Sequence, residues 1–383
     1  MHATAAVEEA ITLSEDSTKS RNAGDIYRLI YYDRQSSRQI ISEKLGLSLP
    51  TVTNNLNQLK ADGLIYNAGS FESTGGRKAH LFQCVPHVRY SLGINITRNH
   101  LSIVVVDLDI NIIAGKRMRR PFCDTDEYYQ FMCREIEKLL DDHQIPREKL
   151  LGAGISMPVI INADQKTISY ATVIRVSHGI YERIGRHLSC PFFLFNDANS
   201  AGLAESWFSG SGKTMVYLSL CSSVGGATMD GMNVSRGSNN RSSEFGHMCV
   251  VPHGKRCYCG QYGCLDAYCS EKVLSDFTNG DLKQFFEKLK ENDNQGYWNI
   301  FEEYLDHLAV AVNNLRMCYD CDIVLGGNVG SYMSDYIDRI RQKALALNPF
   351  EQNGDFIRVC HYRTEASAVG AAIYHIDCFV KNM

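Results

Sequence analysis

The segment 244–264 contains four residues whose types and spacing suit a metal ion. One histidine, His247, precedes three cysteines that fall within eight residues, Cys257, Cys259 and Cys264. Three thiolates and one imidazole satisfy the tetrahedral coordination of zinc, and two glycines among the cysteines allow a tight backbone wrap. The spacing is not that of a nucleic-acid-reading finger, which has two separated ligand pairs. The alternative is three buried cysteines and a capping histidine, but the density of the cluster favours zinc.

A second chemically suggestive pair lies at the end of an apolar strand pattern. Asn196 and Asp197 follow the run CPFFLF, and α/β proteins place ligand-cleft residues at the carboxyl ends of their strands. A carboxylate at such a place accepts hydrogen bonds from hydroxyl groups or takes a proton from one. It can equally cap the helix that follows. We favour a role in ligand binding and keep the cap as the alternative.

The charge is distributed unevenly along the chain. The 383 residues carry a net charge of −4. Residues 1–20 have four acids and one base, a net −3, whereas residues 21–90 have nine bases and five acids, a net +4. A basic module on an acidic body indicates that this module meets a polyanion. The excess is modest, so it supports the motif described next without deciding it.

Residues 21–88 have the pattern of a winged helix-turn-helix. Apolar spacing predicts a helix over 25–33, a second helix that Ser36 or Ser37 caps and Gly46 ends, and a third that opens at Ser48–Pro50. Short polar side chains cover the third helix, and two strands around a Gly-Gly-Arg-Lys tip form a wing. Each feature alone is typical of a solvated surface, but together they predict binding to double-stranded operator DNA. The predicted DNA contacts are Ser37, Arg38, Ser48, Thr51, Thr53, Asn54, Asn55, Gln58, Arg77 and Lys78.

The rest of the chain alternates between strand and helix patterns, which predicts α/β architecture with a cleft between two lobes. No internal sequence repeat is evident. A chain of this length fits two or three domains. We predict a mobile tail over 1–20, the DNA-binding head over 21–88, a first body lobe over 89–195 plus 362–383, and a second body lobe over 196–361 with the zinc loop 247–264.

Composition bears on where the protein works. No run of 18 or more apolar residues occurs, so no membrane span is predicted. The N-terminal residues lack the charged start and apolar core of a secretory signal. Without such a signal, the 14 cysteines are expected to be reduced thiols, some of them metal ligands. We therefore expect a cytoplasmic protein with no membrane partner.

Three stretches of the body resemble signatures of the ROK family (repressors, open reading frames, kinases), namely FNDANSAGLAE, SSEFGHMCVVPHGKRCYCGQYGCLDAY and IVLGGNV. The preceding winged helix resembles that of the family's repressor branch, which includes xylose and N-acetylglucosamine repressors. The resemblance covers nearly the whole chain. It implies a two-lobed, actin-like (ribonuclease-H-like) body and a zinc ion on the four ligands named above. Since one winged helix covers only a short half-site, we expect a homodimer or homotetramer.

The same resemblance implies the residues of a sugar site. Asn196, Asp197, Glu244 and His247 match sugar contacts of the family, with His247 shared between sugar and zinc. The Asp that matches Asp197 takes a proton from the sugar hydroxyl in the family's kinases. Zinc on one ring nitrogen would fix the His247 ring and leave the other nitrogen for the cleft. Asp266 stands where the family usually has Glu, so its carboxylate has a shorter reach toward a sugar.

Two phosphate loops of the family's kinases are degraded in this chain. Asn95–Arg98 replaces the D-x-G-G-T-K loop, so an acid has become an amide and both glycines are gone. Cys221–Gly225 replaces G-T-G-x-G and keeps only the last glycine. Because backbone N–H groups at glycines cradle phosphate and the acid helps to place Mg²⁺, we do not expect an enzyme. The expectation is a repressor that responds to a sugar without phosphorylating it; the alternative is an ATP-dependent ROK sugar kinase with a DNA-binding head.

Overall fold

The computed structural model of the chain describes residues 21–70, 80–210, 212–291 and 294–383. Within these ranges, no helix combines the length and the apolar character that a membrane crossing requires. The predicted tail over 1–20 lies outside the described residues. So does the tip of the predicted wing, with Arg77 and Lys78.

The head has three helices and a small antiparallel sheet. Its helices are α1 (21–32), α2 (Arg38–Leu45) and α3 (Leu49–Ala61), and its strands are β1 (Ser36–Ser37), β2 (Ile65–Ser70) and β3 (His80–Cys84). The strand order is β1-β3-β2. Gly46 ends α2 in the left-handed conformation with φ 65°, and Pro50 sits in the first turn of α3. The predicted helix, turn, helix and hairpin are all present.

The first body sheet has five strands in the order β10-β7-β4-β5-β6. Its strands are β4 (Tyr90–Ile96), β5 (His100–Asp107), β6 (Ile112–Arg119), β7 (Leu150–Met157) and β10 (Phe192–Asn196). Between the last two lies a short hairpin of β8 (Ile160–Ile161) and β9 (Ile168–Tyr170). The helices of this part are α4 (Asp126–Asp142) and α5 (Ile180–Gly185).

The second body sheet also has five strands, in the order β13-β12-β11-β14-β15. Its strands are β11 (Thr214–Leu220), β12 (Val224–Asp230), β13 (Asn233–Val234), β14 (Asp322–Gly326) and β15 (Ile357–Val359). The remaining helices are α6 (Asp197–Ser209), α7 (Asp266–Cys269), α8 (Glu271–Ser275), α9 (Leu282–Lys290), α10 (Gln295–Tyr319), α11 (Gly327–Gly330), α12 (Ile337–Leu345) and α13 (Ala366–Lys381).

The two body sheets share one topology. In each, the first three strands form an antiparallel meander, the fourth strand adds in parallel beside the first, and the fifth adds in parallel beside the fourth. The sequence contains no evident repeat that would have predicted this shared topology. A topology is set by the order of strands and helices, and it does not require similar side chains in the two lobes.

Helices α6 and α13 cross at very short distance between the two sheets. At Gly370 of α13, a Cβ atom would lie 1.7 Å from the carbonyl oxygen of Ser200 in α6. At Gly154 of β7, a Cβ atom would lie 2.0 Å from the carbonyl oxygen of Ala371 in α13. Since no side chain other than hydrogen fits at these crossings, α6, α13 and the first body sheet are locked into close contact.

One hydrophobic cluster joins the head to the body. Ile26 and Ile30 of α1 are fully buried in the same cluster as Val106 of β5 and Val380 of α13. The hydroxyl of Tyr31 in α1 donates to the carbonyl of Leu108 at 2.8 Å. The head is therefore packed on the body through a shared core and is not suspended on a linker.

Candidate functional site

Asp197 lies where β10 gives way to α6, as the strand pattern predicts. Asn196 caps α6, because its Oδ1 atom accepts the N–H of Asn199 at 2.9 Å, and its amide nitrogen donates to the carbonyl of Val159 at 3.1 Å. The Oδ1 atom of Asp197 accepts the N–H of Ala198 at 2.8 Å. Because Asn196 makes the cap, Asp197 retains a carboxylate oxygen for a ligand.

A cavity of about 460 Å³, called the central cavity below, opens between the lobes beside Asp197. This is the size of a small-molecule site. Four of the five predicted sugar contacts line it: Asn196, Asp197, Glu244 and His247. Two further side chains that can bind hydroxyl groups, those of Arg241 and Tyr258, complete the wall.

The carboxylates of the central cavity are in a setting that disfavours their charge. Burial, reinforced by the negative charge of Glu244, raises the pKa of Asp197 to about 6. Partial desolvation also raises the pKa of Glu244, although this residue is exposed at the mouth of the cavity. Arg241 has no ion pair with any described residue. A ligand that hydrogen-bonds to these groups would offset the cost of their desolvation.

The fifth predicted sugar contact, Asp266, is placed differently. Its side chain is buried, and its Oδ2 atom accepts the backbone N–H of Val224 at 2.7 Å. Asp266 does not belong to the described residues that line the central cavity. The shorter carboxylate holds the turn before β12 instead, so the predicted contact between Asp266 and a sugar is corrected to a structural one.

The four predicted metal ligands converge. One ligand atom from each of His247, Cys257, Cys259 and Cys264 can be chosen so that all four lie within 4.8 Å of one another. The Sγ atom of Cys257 lies 3.8 Å from Nδ1 of His247, and the Sγ atoms of Cys259 and Cys264 are 3.8 Å apart. With zinc–sulfur bonds of about 2.3 Å, a tetrahedron has edges of about 3.8 Å. The residues therefore fit a tetrahedral ion.

The backbone of this loop is shaped by glycine and by its own hydrogen bonds. Gly263 has φ 80°, and a Cβ atom there would lie 1.9 Å from the carbonyl oxygen of Val251. Its N–H donates to the carbonyl of Lys255 at 2.9 Å. The other ring nitrogen of His247, Nε2, lies 3.4 Å from the hydroxyl of Tyr258, which lines the central cavity. The imidazole thus connects the metal cluster to the cavity.

The two degraded phosphate loops face each other across a cavity of only about 50 Å³. This cavity is small beside the central cavity of about 460 Å³. Asn95, which replaces the kinase acid, is buried, and its amide oxygen accepts the hydroxyl of Ser156 at 3.1 Å.

Side chains from both lobes bridge this side of the cleft. The Nη2 atom of Arg117 in β6 donates to Oδ1 of Asn328 at 3.0 Å. The amide of Asn328 then donates to the carboxylate of Glu271 at 2.7 Å. The Arg117–Asn328–Glu271 bridge occupies the space between the degraded loops and ties the lobes together.

Helix α3 presents a polar face to solvent. Val52, Leu56 and Leu59 are buried, while Asn54 and Gln58 are exposed. The side chains of Thr53 and Asn55 are partly used within the helix, since they donate to the carbonyls of residues 49 and 51. Asn54 makes no side-chain hydrogen bond with a described residue, so its amide is available to a base edge.

The predicted contacts before α3 divide into exposed and buried residues. Arg38 is exposed, and Ser48 is exposed while it caps α3 by accepting the N–H of Thr51 at 3.3 Å. Ser37 is 3% exposed, and its hydroxyl accepts the N–H of Ile40 at 3.4 Å. The prediction that Ser37 contacts DNA is corrected, because a buried capping hydroxyl cannot reach a phosphate.

Helix α6 extends from the central cavity to the head. It begins at Asp197, and near its other end Trp207 packs on Tyr31 of α1 with ring centroids 5.4 Å apart. Arg34, which follows α1, also contacts Trp207. A rigid helix thus has one end in the cavity and the other against the head.

Comparison with known proteins agrees with this architecture. The model of the ROK family matches residues 91–377. The chain belongs to the ROK family. A second family model, for a winged helix-turn-helix DNA-binding domain, matches residues 20–66 of this ROK protein. The predicted winged helix-turn-helix in front of a ROK body is confirmed.

The ROK chain is similar to proteins named as regulators. It is 26% identical over 275 residues to the DNA-binding transcriptional dual regulator NagC of Escherichia coli K12, which covers 71% of this chain and 68% of NagC. It is 24% identical over 298 residues to the xylose repressor of Bacillus subtilis 168, which covers 76% and 77% of the two chains.

Solved structures share the ROK fold. A ROK family transcriptional regulator, a homologue of the E. coli MLC protein, matches with a TM-score of 0.68 and 20% identity, over 95% of this chain and 98% of that chain. A ROK family glucokinase from Streptomyces griseus, in complex with glucose and AMPPNP, matches with a TM-score of 0.63 and 21% identity, over 74% and 98%. At these identities the matches show the fold alone.

Sequence reasoning missed several residues of the ROK cleft. Tyr258 lies between two predicted ligands, so its position in the metal loop could have indicated a place beside the cavity. Arg241 lies three residues before Glu244, in the same segment. Arg117 had no signal, because the strand that carries it was not predicted. On the DNA face, Asn57 is exposed one turn from Asn54 and was not named.

Proposed function

We propose that this ROK protein is a sugar-responsive transcription regulator that represses by binding operator DNA through its head. The central cavity would bind the saccharide effector without phosphorylating it. The names of NagC and of the xylose repressor support this function, since both are DNA-binding regulators or repressors by name. Operator binding also implies that the protein works in the cytoplasm as a homodimer or homotetramer, in which two heads read a palindrome.

The proposal rests on the position of α6, which extends from the central cavity to the head. Its first residue, Asp197, lines the central cavity, and Trp207 near its end contacts the head. A ligand that moves the lobes therefore shifts the surface on which α1 rests. By linkage, if the sugar weakens operator binding by some factor, operator weakens sugar binding by the same factor.

Zinc is the metal that best suits the donor set of three thiolates and one imidazole. His247, Cys257, Cys259 and Cys264 would hold it, with Nδ1 of His247 on the metal side. The ion would supply folding energy to the loop and would fix the imidazole beside the cavity. It has no part in a reaction.

The proposal includes the absence of kinase activity. The degraded loops leave no backbone cradle for phosphates, and the Arg117–Asn328–Glu271 bridge fills the space beside them. Asp197 would then act as a hydrogen-bond acceptor for sugar hydroxyls and not as a general base.

One observation favours a sugar kinase as the second candidate. Asp197 occupies the position of the catalytic base, and a pKa of about 6 suits a base that works near neutral pH. The test is ADP release from ATP with glucose, xylose and N-acetylglucosamine at millimolar concentrations. Sugar-dependent ADP release that disappears in the Asp197→Ala variant would establish the kinase.

The decisive experiment measures binding of the full chain to the DNA upstream of its own gene, with and without a sugar panel. We expect specific binding that at least one sugar reduces. The same sugar should raise the thermal stability of the protein by mass action. If the protein binds this DNA specifically but no sugar changes its DNA affinity or its thermal stability, the body is a scaffold and not a sensor. If it does not bind this DNA specifically, the proposed function is wrong.

A further inference from the structure

A second cavity, of about 410 Å³, adjoins the central cavity on the side of α13 and is called the side cavity below. The two cavities share the wall residues Ile160, Asn196, Gly226 and Glu244. We propose that the side cavity binds a second sugar ring, so that the effector is a disaccharide or a longer saccharide. This inference rests on the proposed function, because it concerns the ligand of the same cleft.

The polar lining of the side cavity suits hydroxyl groups. Four of the amide side chains that line it are those of Asn162, Gln165, Asn199 and Asn233. None of the four makes a side-chain hydrogen bond with another described residue. An amide both donates and accepts, so it matches a hydroxyl that does the same. Four unused amides around one space are more than a single small ion would require.

The apolar lining suits the flat face of a sugar ring. The rings of Phe195 and Tyr374 lie together in the wall, with centroids 5.4 Å apart and planes inclined by 52°. Aromatic faces accept weak contacts from C–H groups, which pyranose rings present on their faces. An array of amides beside aromatic rings is therefore complementary to a carbohydrate and less so to a purely apolar ligand.

The charges in the side cavity do not select an anion. Arg236 and Lys381 are cationic, but Glu244 and Asp377 bring carboxylates to the same wall. Asp377 also accepts a hydrogen bond from Lys381 at 2.6 Å, so this pair is already neutralised. A balanced set of charges favours a neutral polyhydroxy ligand over a sugar phosphate.

Volume decides between one ring and several. Each cavity separately falls within the range of about 300–1,000 Å³ that holds a small organic ligand. Because Glu244 and three other residues line both cavities, the proposed ligand would have one ring beside Asp197 and would continue through its glycosidic oxygen past Glu244. A monosaccharide would leave the amides of the side cavity to water.

An occupant of the side cavity would also lie against the residues that hold the head. The hydroxyl of Tyr32, the last residue of α1, donates to Oδ1 of Asp377 at 3.2 Å. Arg28 of α1 donates to the carbonyl of Lys381 at 3.3 Å. The second ring would therefore bind next to the contacts that set the position of α1.

The test compares matched pairs of probes on the full chain by titration calorimetry. The pairs are N-acetylglucosamine with diacetylchitobiose, xylose with xylobiose, and glucose with cellobiose. Each pair is measured on the wild type and on Asn233→Trp, which fills the side cavity from an exposed strand position. The matched control is Asn239→Trp, an exposed amide nearby that lines neither cavity.

We expect at least one disaccharide to bind about tenfold or more tightly than its monosaccharide. Asn233→Trp should remove this gain and leave the monosaccharide affinity unchanged, while Asn239→Trp keeps the gain. Equal affinities within every pair that binds, or a gain that survives Asn233→Trp, would overturn the second sugar site and leave the proposed function standing. Failure of all six probes to bind would count against both.

Discussion

The guanidinium of Arg34 lies over the ring of Trp207, 4.2 Å from its centroid, and its Nη2 atom donates to the Trp207 carbonyl at 3.3 Å. Arg34 belongs to the head, and Trp207 belongs to the helix that begins in the central cavity. This contact is therefore a direct link between the DNA-binding and ligand-binding parts of the molecule.

Replacing Arg34 by Ala should weaken the communication between sugar and operator. A cation–π contact at an exposed site contributes about 0.5–1 kcal/mol, so the ratio of operator Kd with and without sugar should fall roughly two- to fivefold. Fluorescence anisotropy with labelled operator measures this ratio. Arg38→Ala is the control, since it should weaken operator binding equally in both states. An unchanged ratio in Arg34→Ala would contradict the link.

Replacing Cys259 by Ser should remove the metal. Cys259 is exposed, so the change costs little packing, and the wild type should contain about one zinc ion per chain while the variant contains almost none. Metal analysis and thermal unfolding with and without a chelator provide the measurements. The control is Cys249→Ser. Cys249 is also exposed, and its backbone forms a β-bridge with that of Cys264, but its thiol is not part of the metal cluster. Equal metal content in the two variants would exclude the assigned ligand set.

Replacing Asp197 by Asn should stabilise the protein in a pH-dependent way. Burial raises the pKa of Asp197 from 3.8 to about 6, so the stability linked to its protonated form is complete below pH 3.8 and is lost between pH 3.8 and about 6. The neutral amide should therefore raise Tm much more at pH 8 than at pH 4, while sugar binding is lost. Asp230→Asn, at an exposed strand end, serves as the control. A Tm change that is the same at both pH values would argue against the raised pKa of Asp197.

Replacing Arg117 by Ala should loosen the contact between the lobes without creating a kinase. Loss of hydrogen bonds from a charged, partly buried group costs about 1.5–3 kcal/mol of unfolding free energy, which denaturant titration can measure. Sugar-dependent ADP release should remain absent, because the glycine loops are still missing. Arg119→Ala, on the same strand and exposed, should leave the stability unchanged. Appearance of ADP release in Arg117→Ala would mean that the bridge alone blocks catalysis.

The two variants Asn54→Ala and Ser37→Ala should separate DNA contact from head stability. Asn54 is exposed on α3, so its loss should weaken operator binding by about 1–3 kcal/mol at unchanged Tm. Ser37 is buried and caps α2, so its loss should cost about 0.5–2 kcal/mol of stability. Gel shift and thermal unfolding distinguish the two. The reverse pattern would show that α3 does not read the operator.

The sequence predicted the parts of the site that depend on local patterns. The cysteine loop could be predicted because ligand type and spacing along the chain almost determine a zinc site. The place of Asp197 could be predicted because it follows a buried strand directly. The head could be predicted from helical spacing and from Gly46.

Other parts depend on contacts between distant segments. Asp266 bonds to Val224, which is 42 residues away, and no local pattern indicates that pairing. Ser37 is a polar residue beside a basic one, and only the pairing of β1 with β3 shows that it is buried. The strand β6 was overlooked because its residues, such as Lys116 and Arg117, include charges that bond across the fold.

The hydrophobic cluster that joins α1 to β5 and α13 affects whether the head and the body can be produced as separate fragments. A cut between the predicted head and body would expose Ile26 and Ile30 on one fragment and Leu108 and Val380 on the other. Each fragment would then expose an apolar surface, so we expect neither to be a stable domain on its own. A new operator specificity should therefore be introduced by substituting the exposed side chains of α3 in the intact chain, and not by fusing another DNA-binding domain to the body at residue 89.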